Sequence, residues 1–322
     1  MSLVIDGFAH VFPKSFAEEM LEKYNSDELK ELVIYDQFSD MDNRVRLLDK
    51  YGIDKQVLTL ARPNVWIGMP KALMLEMTRK ANDAVAEAAK QYPDRFIAVG
   101  TIPYPGEEFL PEFDRCMNEL GMAGIQIFSN VDGKYPDAPE FRAFFAKANE
   151  TKTPIWIHPQ VRTEWSPEYI INKILGWPFD TSVAIARLVF SGMMEEFPNL
   201  NIITHHMAGM IPFYSKRIND FYKAREMYAR SNSKNLTKEP VEYFKRFYGD
   251  TVLNGSLEAF ELGHKFFGTE HCVFATDYPF GPNKGETWMA GALQQIKDAD
   301  LPEEDKKLIL GGNLERIITA RK

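Results

Sequence analysis

The clearest indication of the fold is a nine-residue segment, Cys272-Val273-Phe274-Ala275-Thr276-Asp277-Tyr278-Pro279-Phe280. Its apolar run, residues 273–275, combines a β-branched and an aromatic side chain, which is typical of a strand buried on both faces. Asp277 follows where this predicted strand gives way to a loop. A carboxylate at a strand end is common as part of a turn or as a helix cap. Whether Asp277 marks a functional site therefore depends on which side chains lie at the ends of the other strands.

Three other apolar runs also end on side chains that can bind a metal ion. They are Leu3-Val4-Ile5 before His10, Ile155-Trp156-Ile157 before His158, and Ile202-Ile203-Thr204 before His205 and His206. When parallel strands form a barrel, their carboxyl ends meet at one mouth, so residues distant in sequence become neighbours. Four strands that each deliver a histidine or an aspartate to the same end predict a shared site.

Strand and helix patterns alternate regularly along the chain. The predicted strands are residues 3–6, 56–60, 96–101, 124–128, 154–158, 201–206, 247–252 and 272–276. Eight strands with intervening helices and no domain-sized linker predict an α/β fold, a (β/α)8 TIM barrel. A doubly wound open sheet is the alternative, but the first turn lacks the glycine-rich sequence typical of that fold.

We expect a single TIM-barrel domain over residues 1–322, with helical insertions on its C-terminal face. The two longest insertions, residues 12–40 and 160–180, follow the first and fifth strands and would shape a substrate pocket. After the second insertion, a helix is predicted over residues 181–197, with Asp180 or Thr181 as its N-cap.

Composition excludes several functional classes. The 322-residue chain is 45% hydrophobic and carries a net charge of −8, so it can bury a large core and is not suited to nucleic acid. Its two cysteines are far apart and form neither a disulfide framework nor a zinc-knuckle spacing. The sequence contains no signal-peptide pattern and no run near the roughly 20 apolar residues of a membrane span. We therefore expect a cytoplasmic protein without a membrane partner.

The candidate metal ligands are His10, His158 and Asp277. Imidazole nitrogens and a carboxylate from separate strands make a divalent-metal site, for which zinc is the expected ion and manganese, magnesium or iron the alternatives. His205 and His206 are adjacent, so they point to opposite faces of a strand end and only one can readily face the mouth. A histidine beside the metal would act as general acid or base.

Several motifs show that the chain resembles a branch of the amidohydrolase superfamily. The branch contains aminocarboxymuconate-semialdehyde decarboxylase and the γ-resorcylate and 2,3-dihydroxybenzoate decarboxylases. The motifs that carry the resemblance are GWPFDTS at 176–182, FPNL at 197–200, HHMAGMIPF at 205–213, TDYPF at 276–280, TIP at 101–103, ELGMAGIQ at 119–126 and GGNL at 311–314. Together they cover nearly the whole chain.

The resemblance implies roles for individual residues. His10, His158 and Asp277 match metal ligands of the family, and His206 matches the catalytic histidine near the metal. Either His206, or Asp277 through a metal-bound water, would deliver the proton in catalysis. The family's first strand usually carries a further ligand two residues before His10, where this chain has Phe8. The fourth strand, residues 124–128, lacks the lysine that bridges two metals in binuclear members. The resemblance therefore implies one metal ion.

The implied activity is metal-dependent, non-oxidative decarboxylation of a small hydroxylated aromatic or muconate-like acid. A hydrolase or hydratase that uses a metal-activated water is the alternative, and a catalytically inactive barrel that binds a ligand is a third reading, supported by Phe8. Arg62 and Arg162 could hold the substrate carboxylate, because a guanidinium forms two parallel hydrogen bonds with it. Trp177 could wall the pocket. The resemblance also implies a homodimer or a higher homo-oligomer.

Overall fold

Parallel strands alternate with helices in the computed structural model, which describes residues 3–24, 29–30, 35–61, 63–160, 168–228 and 233–321. The strands are β1 (Ile5–Val11), β2 (Lys55–Leu60), β3 (Phe96–Ala98), β4 (Gly100–Thr101), β5 (Ile125–Phe128), β6 (Ile155–His158), β7 (Ile202–Thr204), β8 (Tyr248–Asp250) and β9 (Cys272–Val273). The α-helices of these ranges are α1 (Lys14–Lys23), α2 (Met41–Tyr51), α3 (Lys71–Lys90), α4 (Leu110–Asn118), α5 (Arg142–Thr151), α6 (Trp177–Phe190), α7 (Met193–Glu196), α8 (Ile211–Lys223), α9 (Pro240–Phe244), α10 (Leu257–Phe267), α11 (Glu286–Asp298), α12 (Glu303–Lys307) and α13 (Asn313–Thr319). Within the described ranges, we find no helix that combines the length and the apolar character needed to span a membrane.

The strands form two parallel sheets, β1-β2-β3 and β4 through β9 in sequence order. The predicted strand 96–101 is continuous across both, as β3 and β4, and the amide of Val99 donates to the Leu58 carbonyl at 3.1 Å. At the other seam, the amide of Gly7 donates to the Phe274 carbonyl at 2.8 Å, and that of Asp277 to the Phe8 carbonyl at 3.1 Å. These bonds join the first strand to the last, and the predicted (β/α)8 barrel is confirmed.

A β-bulge in β1 sets the orientation of the residues just before His10. The register with β2 shifts between Asp6 and Ala9, so β1 holds one residue more than its partner there. Gly7 lies in this bulge, where a Cβ atom would stand 2.6 Å from Val273 Cγ1 and 3.1 Å from the Phe274 carbonyl oxygen. Only glycine lets the first strand approach the last one so closely.

The bounds of several predicted elements differ from those observed; the first strand, predicted over 3–6, is observed as β1 (Ile5–Val11). Two further differences have a structural cause. The strand expected over 272–276 is observed only as β9 (Cys272–Val273). It ends there because the amide of Phe274 donates to the Ile309 carbonyl at 2.9 Å rather than to a neighbouring strand. The helix expected from residue 181 already begins at Trp177, so neither Asp180 nor Thr181 is its N-cap. The Asp180 carboxylate instead accepts hydrogen bonds from Asn130 Nδ2 at 2.8 Å and Tyr135 Oη at 2.9 Å.

The core has an outer layer between strands and helices and a smaller cluster inside the barrel. The inner cluster includes Phe8, Val57, Val99, Trp156, Ile203, Val252, Val273 and Ala275, all buried. Trp156 is fully buried, and its indole Nε1 donates to the Gly7 carbonyl at 2.8 Å. This bond crosses the barrel from β6 to β1 and satisfies the carbonyl of the bulge residue.

We predict that Trp156→Phe lowers the free energy of unfolding by about 1–3 kcal/mol, because the buried Gly7 carbonyl loses its donor. Urea denaturation followed by circular dichroism measures the change. Trp288→Phe, at a half-buried position on α11, is the matched control. A loss for Trp156→Phe no larger than that of the control would show that the bond across the barrel contributes nothing.

Candidate metal centre

Four side chains from four strand ends meet at the carboxyl mouth of the barrel. His10 lies near the end of β1, His158 ends β6, His205 follows β7, and Asp277 follows β9. Asp277 Oδ1 lies 2.9 Å from His10 Nε2 and 3.3 Å from His205 Nε2. The ring of His158 is centred 4.9 Å from that of His10 and 5.4 Å from that of His205. The predicted residues His10, His158 and Asp277 are thus brought together, and their role as ligands stays a prediction.

A hydrogen bond at Nδ1 fixes the orientation of each ring. Thr59 Oγ1 donates to the Ala9 carbonyl at 3.0 Å, so it accepts from His10 Nδ1, which lies 2.8 Å away. His158 Nδ1 donates to the Pro159 carbonyl at 2.7 Å, and His205 Nδ1 donates to Asp250 Oδ2. Since Nδ1 carries the proton, the Nε2 atoms of His10 and His158 keep their lone pairs.

His205 lies at the centre of the site, although the motif resemblance pointed to its neighbour His206 as the catalytic histidine. Its ring is almost fully buried, and its two nitrogens face the carboxylates of Asp250 and Asp277. His206 is half-buried and has a positive φ of 55°, and its ring is centred 4.0 Å from that of His205 at an interplanar angle of 39°. The strand-end aspartate Asp250 was the sequence signal that could have singled out His205.

The surroundings of the cluster raise the pKa of one histidine, His205, and lower the pKa of another, His158. Burial lowers the pKa of His205, but Asp250 and Asp277 outweigh burial and raise that pKa to about 10. Burial and the nearby His10 and His205 hold the pKa of His158 well below its usual value. Burial would raise the pKa of Asp277, yet the neighbouring imidazoles of His10 and His205 hold that pKa well below its usual range. The carboxylate is therefore ionised and His158 neutral at neutral pH, the forms that bind metal ions.

Phe8 forms the apolar floor of the site. It is fully buried in the inner core cluster, and its ring is centred 4.1 Å from His205 and 5.4 Å from His10. It offers no ligand atom, in agreement with the sequence. It also excludes water from beneath the polar cluster, which strengthens electrostatic interactions within it.

A buried arginine holds the backbone of His10. Arg44 is fully buried, and its Nη2 donates to the His10 carbonyl at 2.6 Å while its Nη1 donates to Gln56 Oε1 at 2.8 Å. Gln56 Nε2 donates in turn to Asp6 Oδ2 at 2.7 Å. This network joins α2, β2 and β1 directly below the site, so the position of His10 depends on several elements.

The residues predicted for substrate binding are only partly within the described ranges. Trp177 is half-buried, and its ring is centred 5.9 Å from that of His158 in an edge-to-face arrangement. The ring of Phe280 is centred 5.5 Å from that of His10. Arg62 and Arg162 lie outside the described residues.

The donor set suits a divalent metal ion. Single ligand atoms of His10, His158 and His205 lie within 4.8 Å of one another. His10 Nε2 is buried and has no aligned hydrogen-bond partner among the described residues, although Asp277 Oδ1 is close. A buried imidazole nitrogen with a free lone pair beside a carboxylate is the arrangement expected at a site for zinc or manganese.

Comparison with known proteins identifies the family. The sequence profile of the amidohydrolase family matches residues 5–318. The chain is 30% identical to 2-amino-3-carboxymuconate-6-semialdehyde decarboxylase of Dictyostelium discoideum, over 97% of this chain and 90% of that protein. It is 28% identical to γ-resorcylate decarboxylase of Rhizobium sp. strain MTP-10005, over 74% of this chain and 76% of that protein.

A solved structure shares the fold over almost the full length. It is 5-carboxyvanillate decarboxylase of Novosphingobium aromaticivorans in complex with manganese and 4-hydroxy-3-methoxy-5-nitrobenzoic acid. The TM-score is 0.84 at 24% identity, over 99% of this chain and 96% of that one. The resemblance drawn from the motifs is confirmed, and the chain belongs to the amidohydrolase family.

Proposed function

We propose that this protein is a metal-dependent, non-oxidative decarboxylase of a small hydroxylated aromatic or muconate-like carboxylic acid. The observation that carries the proposal is the buried group of histidines around Asp277 at the mouth of the barrel. The 30% identity to a carboxymuconate-semialdehyde decarboxylase over 97% of the chain supports this reaction class.

In this proposal His10, His158 and Asp277 hold one divalent ion. Such an ion would act as a Lewis acid that stabilises negative charge on the oxygen atoms of the substrate. Zinc is the ion expected from the donor types. Manganese, which the related 5-carboxyvanillate decarboxylase structure contains, is the second candidate. The absence of lysine from β5 supports one ion rather than two.

Decarboxylation requires a proton at the carbon that loses carbon dioxide. The bond between that carbon and the carboxylate breaks, its electron pair stays on the carbon, and a proton replaces the lost group. We propose His206 as the group that delivers this proton, with Asp277 beside it to hold the local charge. His206 Nδ1 has no hydrogen-bond partner among the described residues, so this nitrogen is not committed to another protein group.

Aromatic side chains next to the cluster favour a substrate that is planar. The rings of Trp177 and Phe280 stand beside His158 and His10, respectively. Aromatic rings pack favourably against one another in offset or edge-to-face arrangements. We further propose that Arg62 and Arg162, outside the described ranges, bind the substrate carboxylate.

An apolar surface supports self-association, and we propose a homodimer. Phe179, Tyr214, Phe221 and Tyr228 line a groove of about 930 Å³ between α6 and α8, and each of these four side chains is exposed. Large exposed apolar patches mark interaction sites more often than chance would give. A second copy of the chain would cover these rings.

The reaction class is tested with hydroxybenzoates and muconate-like acids supplied to metal-loaded protein, with released carbon dioxide measured directly. We expect release from at least one member of the panel, and a marked loss of turnover in His206→Asn. Metal-loaded protein that hydrolyses esters or lactones but releases no carbon dioxide from any acid would contradict the proposal and favour a hydrolase.

Asp277→Asn is expected to lower the bound metal to well below one equivalent, because the variant lacks the negatively charged ligand. Elemental analysis after dialysis against zinc or manganese measures this. Asp220→Asn, on the exposed side of α8, is the matched control and should keep its metal. Full metal retention by Asp277→Asn would remove Asp277 from the ligand set.

Phe221→Asp is expected to shift the protein from dimer to monomer, because a charge would be buried in the proposed interface. Sedimentation velocity measures the mass in solution. Leu308→Asp, at an exposed apolar position away from the groove, is the control. A wild-type protein that is monomeric throughout the tested concentrations would refute the dimer without bearing on the reaction.

A further inference from the structure

We propose that Asp180 is a positioning residue that fixes the aromatic wall of the substrate pocket at Trp177. The inference rests on the proposed function, since Trp177 forms such a wall only if a planar acid binds beside His158. It goes beyond that function because Asp180 belongs neither to the metal ligands nor to the groups that protonate the substrate.

Three hydrogen bonds hold the Asp180 carboxylate in the first turn of α6. The side chain is buried, and its Oδ2 accepts from Ser129 Oγ and, at 2.8 Å, from Asn130 Nδ2. Its Oδ1 accepts from Tyr135 Oη at 2.9 Å. All three donors lie in the segment between β5 and α5. Because a buried carboxylate needs hydrogen bonds to be stable, these contacts fix the start of α6 against that segment.

Ser129 and Asn130 also bind the backbone at the start of the insertion over residues 160–180. Ser129 gives its one hydroxyl proton to Asp180, so its oxygen accepts from the Gln160 amide at 2.7 Å. Asn130 Nδ2 donates to the Gln160 carbonyl at 2.6 Å as well as to Asp180. The two ends of the predicted insertion therefore meet on the same pair of side chains.

The same contacts determine how Trp177 stands beside His158. Trp177 lies three residues before Asp180, on the same side of the helix. Its ring is centred 5.9 Å from that of His158. His158 is tied to the same place, because its carbonyl accepts from the Ser129 amide at 2.8 Å. The separation of the two rings therefore depends on the contact between Ser129 and Asp180.

Loss of the Asp180 carboxylate would differ in its effect from loss of a residue in the metal centre. Three buried donors would lack their acceptor, and the first turn of α6 would lose its fixed position. None of these three donors belongs to the histidine cluster around Asp277, so that cluster keeps its contacts. Trp177 would contact the substrate ring equally before and during the reaction, so a displaced Trp177 raises KM and leaves kcat nearly unchanged.

Hydrogen–deuterium exchange of the metal-loaded protein tests the positioning without any substrate. Asp180→Asn keeps the shape of the side chain but only one acceptor oxygen. We expect peptides that contain Gln160 and the first turn of α6 to exchange at least about 10-fold faster in the variant, because exchange reports local opening. Peptides of β1 should exchange as in the wild type. Asp137→Asn, which weakens an ion pair with Arg187 at 2.6 Å in the same segment, is the matched control and should leave both regions unchanged.

Steady-state release of carbon dioxide tests the consequence for the substrate. With the acid that the wild type decarboxylates best, we expect Asp180→Asn to raise KM at least about 10-fold while kcat stays within about threefold. Tyr135→Phe removes one of the three donors but keeps the ring that Arg187 contacts, so we expect its KM to rise about two- to fivefold. Asp137→Asn should keep the wild-type values. Tyr135→Phe also supplies both readouts if Asp180→Asn does not fold.

An unchanged KM in Asp180→Asn, or a fall in kcat at unchanged KM, would overturn the inference. A lower melting temperature with unchanged KM would show that Asp180 serves the fold alone. Unchanged exchange at Gln160 would also overturn the inference. Wild-type protein that releases no carbon dioxide from any acid would instead contradict the proposed function, and the exchange rates, which need no turnover, would still decide whether Asp180 positions the start of α6.

Discussion

The site depends on one oxygen atom, Oδ1 of Asp277, which two buried histidines share. The atom lies 2.9 Å from His10 Nε2 and 3.3 Å from His205 Nε2, and so links the ends of β1 and β7. Asp277 reaches this point because its amide bonds to the Phe8 carbonyl and its backbone adopts a positive φ of 61°. Few residues other than glycine, asparagine and aspartate adopt that conformation readily. Barrel closure and the proposed metal site therefore depend on the same short segment.

The apolar interior of the barrel continues directly into this polar cluster. Phe8 packs with Trp156 in the inner core and also contacts the His205 ring, so the side of the histidine cluster that faces the barrel interior is apolar. The polar groups are satisfied instead from the sides, by Thr59, Asp250 and the Pro159 carbonyl. In a region of low dielectric such a pre-arranged donor set would bind a cation strongly and stabilise charge that develops during a reaction.

Much of the fold and part of the site could be predicted from sequence. Because parallel strands bring their carboxyl ends together, the pattern of strand ends was enough to group His10, His158 and Asp277. Strand alternation could not choose between His205 and His206, since the choice depends on the positive-φ turn after β7 and on Asp250 of the next strand. Nor could it predict that the chain after Val273 leaves the regular ladder, because that follows from a long-range bond between Phe274 and Ile309.

The central claim is that one divalent ion binds among these strand ends. Anomalous diffraction from crystals grown with manganese(II), recorded above and below the manganese absorption edge, tests it most directly. We expect a single strong anomalous peak enclosed by His10, His158, His205 and Asp277. The absence of a peak at this position in a well-ordered, manganese-loaded crystal, or a peak only at other residues, would contradict it.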